Sequence, residues 1–132
     1  MKLACKLICV VVLPLLVACS ATSSSRPTSA SGGAASASPQ QFTVTAMDTM
    51  KFDPATLTAT AGRPIQVTLK NSGQLAHDFD ITDGVAQPVK ITAQPGQSAM
   101  VTFTIDKPGT YTYFCSQPGH QEAGMQGTLT IQ

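Results

Sequence analysis

Val101-Thr102-Phe103-Thr104-Ile105-Asp106-Lys107-Pro108-Gly109-Thr110-Tyr111-Thr112-Tyr113-Phe114-Cys115 holds two runs of alternating apolar and polar side chains. Between them lies a Lys-Pro-Gly turn. A period of two belongs to a half-buried strand, whose successive side chains point to opposite faces. The same period recurs at Phe42–Ala46, Ile65–Lys70 and Thr128–Ile131, and weaker strands are predicted over 56–60, 78–82 and 88–92. Gly- and Pro-rich turns punctuate the runs, as at Ala61-Gly62-Arg63-Pro64, Asn71-Ser72-Gly73 and Gln94-Pro95-Gly96. No stretch of ten residues carries a helical period. About eight short strands at this spacing predict an all-β domain, an antiparallel Greek-key β-sandwich.

Composition bounds what such a domain can do. The chain has 132 residues, of which only 11% are charged, and a formal net charge of +1. That length allows one small domain. The sum conceals an asymmetry, because Lys2, Lys6 and Arg26 precede the strand pattern. Over 42–132 five basic residues face seven acidic ones, a net charge of −2. A weakly acidic surface excludes nucleic-acid binding through a basic patch.

The first part of the chain is of another kind. Two lysines precede the apolar run Leu7–Val17, which has the length of a signal-peptide core and is too short to span a bilayer. It ends Leu16-Val17-Ala18-Cys19, which resembles the bacterial lipobox. That resemblance implies cleavage before Cys19 and lipidation of Cys19. Ordinary cleavage near Ala18 is the alternative. The Ser/Ala-rich stretch up to Gln41 has no side chains for a core and reads as a flexible tether. The expected organisation is a lipoprotein signal peptide at 1–18, a lipidated Cys and tether at 19–41, and the folded domain at 42–132.

Cysteine usage points to chemistry. Cys5 and Cys9 leave with the signal peptide and Cys19 carries the lipid, so the domain keeps one thiol, Cys115. An unpaired Cys in an exported domain is either an inert core residue or a thiolate ligand. The residues around it favour a ligand. Cys115-Ser116-Gln117-Pro118-Gly119-His120-Gln121-Glu122-Ala123-Gly124-Met125 puts a thiol, an imidazole and a thioether on one short loop between two strands. Alternation turns Tyr111, Tyr113 and Cys115 inward and Phe114 outward. Upstream, His77 shares an inward face with Phe79 and Ile81. Two imidazoles, a thiolate and a thioether form the donor set of a blue copper site. Zinc prefers other sets, and a zinc or purely structural domain is the remote alternative.

These residues resemble those of the small blue copper proteins, the cupredoxins, over essentially all of 42–132. The Cys-x4-His-x4-Met spacing is most like that of auracyanins, rusticyanins and sulfocyanins. The resemblance implies one type 1 copper held by His77, Cys115, His120 and Met125. Family members usually carry Asn after the first His to brace the ligand loop. Here that residue is Asp78, a carboxylate that would lower the potential. Gln117 keeps a backbone N–H where plastocyanin has Pro, and a second hydrogen bond to the sulfur would raise it.

The implied function is electron transfer, not enzymic catalysis, in a monomer anchored by lipid to the cell membrane or outer membrane, its domain facing the periplasm or exterior. Expected partners are redox proteins, a cytochrome or an oxidase or reductase. Electrons are expected to pass at His120, beside the small residue Ala123, with Phe114 as a secondary contact. The alternative is copper storage or delivery, with Met47 and Met50 as auxiliary thioethers.

Overall fold

The structure, a computed structural model, describes residues 38–132. The expected signal peptide, Cys19 and most of the tether lie outside these residues. The ordered strand pattern begins slightly before Phe42. Gln40 already donates its N–H to the Pro64 carbonyl at 2.8 Å, and its side chain accepts the Thr60 N–H at 2.8 Å.

Nine strands form two sheets: β1 (Gln40–Met47), β2 (Lys51–Asp53), β3 (Thr56–Ala59), β4 (Ile65–Asn71), β5 (His77–Ile81), β6 (Val89–Ala93), β7 (Ser98–Phe103), β8 (Gly109–Phe114) and β9 (Gln126–Ile131). The first sheet runs β2-β1-β4-β7 and the second β3-β9-β8-β5-β6. The all-β sandwich is as the sequence indicates. The sheets, however, are mixed rather than antiparallel, because β1 pairs with β4, and β3 with β9, in parallel. Neither pair is joined by a hairpin. Between β1 and β4 the chain visits β2 and then β3 in the other sheet, and such an excursion permits a parallel return. Strand β2 escaped the sequence reading because a three-residue strand with one buried side chain, Phe52, has no period to detect.

The inward faces make one core. Ile65, Val67 and Leu69 of β4 are fully buried, and so are Phe79 and Ile81 of β5 and Leu129 of β9. Each such side chain contributes roughly 1.5–3 kcal/mol through removal of apolar surface from water. The centre is Tyr113, whose ring lies 4.7 Å from Phe79 and 5.2 Å from Phe52. Its hydroxyl donates to the Pro54 carbonyl at 2.7 Å, and burial pushes its pKa up to about 12. On the facing strand, Tyr113 is paired with Gly127. A Cβ there would collide with the tyrosine ring, so the smallest residue at the start of β9 makes room for the largest side chain of the core.

Strand β5 departs from simple alternation. All five of its residues are buried. His77, Phe79 and Ile81 face the core, while Asp78 and Asp80 are covered on the opposite face by groups from β6, β8 and the loop after Cys115.

Candidate metal centre

His77 opens β5 and Cys115 directly follows β8, so two strands of one sheet bring them together. The third donor arrives on the 115–125 loop, which folds on itself through its own backbone. His120 N–H donates to Gln117 C=O at 3.0 Å, and Ala123 N–H donates to Gly119 C=O at 3.1 Å. Gly119 and Gly124 adopt φ of 82° and 90°, a left-handed backbone that glycine takes readily. Met125 is tied to both neighbours: its N–H donates to His120 C=O at 2.9 Å, and its C=O accepts the Cys115 N–H at 3.0 Å.

The result is a preassembled cluster. The Cys115 Sγ lies 3.4 Å from His120 Nδ1 and 3.9 Å from His77 Nδ1. One donor atom from each of the three falls within 4.8 Å of the others, and Met125 joins the group. His77, Cys115 and Met125 have no exposed surface, and His120 keeps 9%.

Electrostatics prepares the same atoms for a metal. Burial pushes the Cys115 thiol up, while the Asp78 N–H, donating to Sγ at 3.2 Å, favours the thiolate. The Gln117 amide acts in the same direction but more weakly. On His77, Nε2 sits 3.1 Å from Asp48 Oδ1. The Gln74 amide, with the His77 ring and the Leu75 amide, holds the Asp48 carboxyl below its usual range. An ionised carboxylate can only accept, so Nε2 carries the proton and Nδ1 is left as a free donor facing Sγ.

The Asp78 side chain performs the brace for which the sequence offered an unusual residue. It accepts from Ser116 Oγ at 2.8 Å and from Gln117 Nε2 at 3.1 Å. Lys90 Nζ lies 3.5 Å from Asp78 and 3.2 Å from Asp80, and donates to Ser116 Oγ at 2.6 Å. Burial raises the Asp78 pKa, but the Thr92, Ser116 and Gln117 hydrogen bonds and the Lys90 charge outweigh it and hold the group ionised. The other carboxylate, Asp80, keeps one oxygen without a partner among the described residues.

Asp48, Asp80, Lys90 and Ser116 were not singled out from sequence. Asp48 stands 29 residues from His77 and Lys90 stands 26 from Ser116, separations at which no local pattern operates. Of the residues expected at the partner surface, Ala123 is exposed and Phe114 is half-buried, opposite Asp80 on β5. Met47 and Met50 are also half-buried, and Met50 packs against the core.

A soft thiolate and two imidazoles from two chain segments, closed by a buried thioether on the 115–125 loop, fit copper. The comparison with known sequences agrees, since residues 8–131 match the cupredoxin-like domain family. The chain is a cupredoxin. It is 34% identical over 89 residues to the plastocyanin of Scenedesmus fuscus, covering 61% of this chain and 86% of that one. To the copper-resistant cuproprotein CopI of Rubrivivax gelatinosus it is 28% identical over 102 residues, 64% of this chain and 62% of that protein. The chain thus spans less than two thirds of that relative. Among solved structures, the reduced auracyanin of Roseiflexus castenholzii has the same fold, with a TM-score of 0.64 and 24% identity over 70% of this chain and 97% of that one. The cofactor of this cupredoxin is one type 1 copper, which the grouped His77, Cys115, His120 and Met125 would hold.

Proposed function

We propose that this cupredoxin is an electron carrier of the cell envelope rather than an enzyme. A bound copper alternating between Cu(I) and Cu(II) supplies the one-electron chemistry. The observation that carries the reading is the unequal exposure of the donors. Three are sealed in the sandwich, while His120 reaches the surface among exposed Pro118, Gly119, Ala123 and Gly124. Small neighbours let a redox partner approach the imidazole edge closely. Donors already gathered within 4.8 Å by the protein alone need little rearrangement between oxidation states. Four protein donors also fill the coordination that a substrate would require.

The partners are redox proteins, a cytochrome or an oxidase or reductase. The Leu16-Val17-Ala18-Cys19 sequence supports export and a lipid anchor at Cys19, with the domain facing the periplasm or exterior. The charge and composition give no reason for oligomers or nucleic-acid binding. A second reading, copper storage or delivery, is favoured by the likeness to CopI, a protein named for copper resistance. The half-buried Met47 and Met50 offer it little, since transfer of Cu(I) through thioethers needs them accessible.

Cu(I)-loaded protein challenged with a water-soluble Cu(I) chelator separates the two readings. A carrier retains its metal over many turnovers of reduction and oxidation, and a delivery protein surrenders it within minutes. Mass spectrometry of the mature N-terminus tests the anchor: a diacylated or triacylated Cys19 is expected, and an unmodified Cys19 or cleavage elsewhere removes it.

A further inference from the structure

Asp48 lies in the turn after β1, far from the ligand loop in sequence. Its carboxylate is nevertheless built into the site. Oδ2 accepts the Gln74 N–H at 2.7 Å, and Oδ1 accepts the Leu75 N–H at 3.3 Å and the His77 Nε2–H at 3.1 Å. The 71–76 segment is shaped to receive it. Asn71 holds that segment, accepting the Gly73 N–H at 2.8 Å and donating to the carbonyls of Leu75 at 2.6 Å and Ala93 at 2.9 Å. Gly73 has no side chain where one would strike the Asp48 carboxylate. The approach of this one acid to a buried imidazole therefore depends on a glycine, an asparagine and two backbone amides.

The two histidines are unequal in consequence. His77 donates to an ionised carboxylate that is itself 36% exposed. Among the described residues no side chain accepts from His120 Nε2. A carboxylate on the distal N–H fixes the tautomer and makes the other ring nitrogen a stronger donor. A stronger, more negative donor favours Cu(II) over Cu(I).

We propose that Asp48 is a positioning residue of the copper site, which fixes His77 as the Nε2–H tautomer and lowers the reduction potential through its charge. The proposal rests on the copper assignment, and its test separates the two. Asp48→Asn keeps an acceptor of the same shape and removes the charge. In copper-loaded Asp48→Asn, the Cu(I):Cu(II) ratio at a fixed ambient potential is expected to rise about tenfold, ~59 mV for a one-electron couple, with the blue colour kept. Gly73→Ala, which displaces an intact Asp48, is expected to move the ratio the same way. In the metal-free protein, 15N NMR of the imidazoles gives an independent readout. His77 is expected as a single Nε2–H tautomer in the wild type and as a mixture in Gly73→Ala. A blue Asp48→Asn protein with an unmoved ratio overturns the proposal alone, as does a wild-type His77 found protonated on Nδ1 in the metal-free state. A wild-type protein that stays colourless with copper overturns the copper assignment and this proposal with it.

Discussion

His77 and His120 offer the metal the same atom, Nδ1, from opposite circumstances. His77 belongs to a strand, is fully buried and is clasped by Asp48. His120 belongs to a loop, reaches the surface and, among the described residues, has only the Cys115 sulfur as a side-chain hydrogen-bond partner. One residue is held by its surroundings, and the other is the proposed exit for electrons. The sequence positions already differ in this way, since a strand placed between β6 and β8 is covered on both sides, whereas a Pro-Gly turn is not. Removing a fully sealed ligand leaves a cavity closed to solvent, and removing one whose edge reaches the surface leaves an opening.

The sharpest way to break this contrast is to delete each ring. His77→Gly and His120→Gly should both lose the blue colour of copper-loaded protein. Added imidazole should restore it in His120→Gly at a concentration at least about tenfold lower than in His77→Gly, a difference of about 1.4 kcal/mol. Equal rescue, read by visible absorption, would mean the two rings are equally accessible.

A smaller effect sharpens the exit. Ala123→Glu adds a negative charge beside the His120 edge of a domain that is already acidic. Electron self-exchange, followed by NMR line broadening, should slow about tenfold, or about 1.4 kcal/mol of barrier, at an unchanged copper spectrum. Phe114→Ala should slow it less than threefold, because that ring is half-covered over Asp80 rather than presented at the loop. The opposite order would put the exchange face at β8.

The smallest expected effect concerns the core centred on Tyr113. Tyr113→Phe removes a hydroxyl bonded to the Pro54 carbonyl, and Pro54 is exposed, so water can replace it. A loss of about 1 kcal/mol is expected, which lowers the Tm by about 4–8 °C for a domain of this size. The potential should not move. A potential that shifted with the phenol would tie the core to the site more closely than the contrast between the histidines allows.

How much of this was legible in the sequence depends on the range of each interaction. Alternation is local, so it placed the inward faces of β1, β4, β8 and β9. It also oriented Tyr113 and Cys115 correctly. The ligand loop was legible because its three donors and the glycines that fold it occupy eleven consecutive residues. Parallel pairing of β1 with β4 was not, because the period of a strand carries no information about its neighbour's direction. The second face of β5 was missed for a related reason. Alternation puts Asp78 and Asp80 on the face opposite the core, but does not show that Lys90, Ser116 and Gln117 cover them from other elements. Asp48 was the least visible, since its role depends on a missing side chain at Gly73 and a turn far upstream.

The central claim is that a sealed thiolate and an imidazole whose edge reaches the surface hold one copper through repeated electron transfer. It is tested most directly by titrating the copper-loaded protein with a reductant and then an oxidant while recording visible absorption. An intense blue thiolate-to-copper band at one copper per chain is expected, bleached by one electron and restored in full, and missing from Cys115→Ser. A protein that never turns blue, or one that loses its copper on reduction and does not recover the band, would contradict the account.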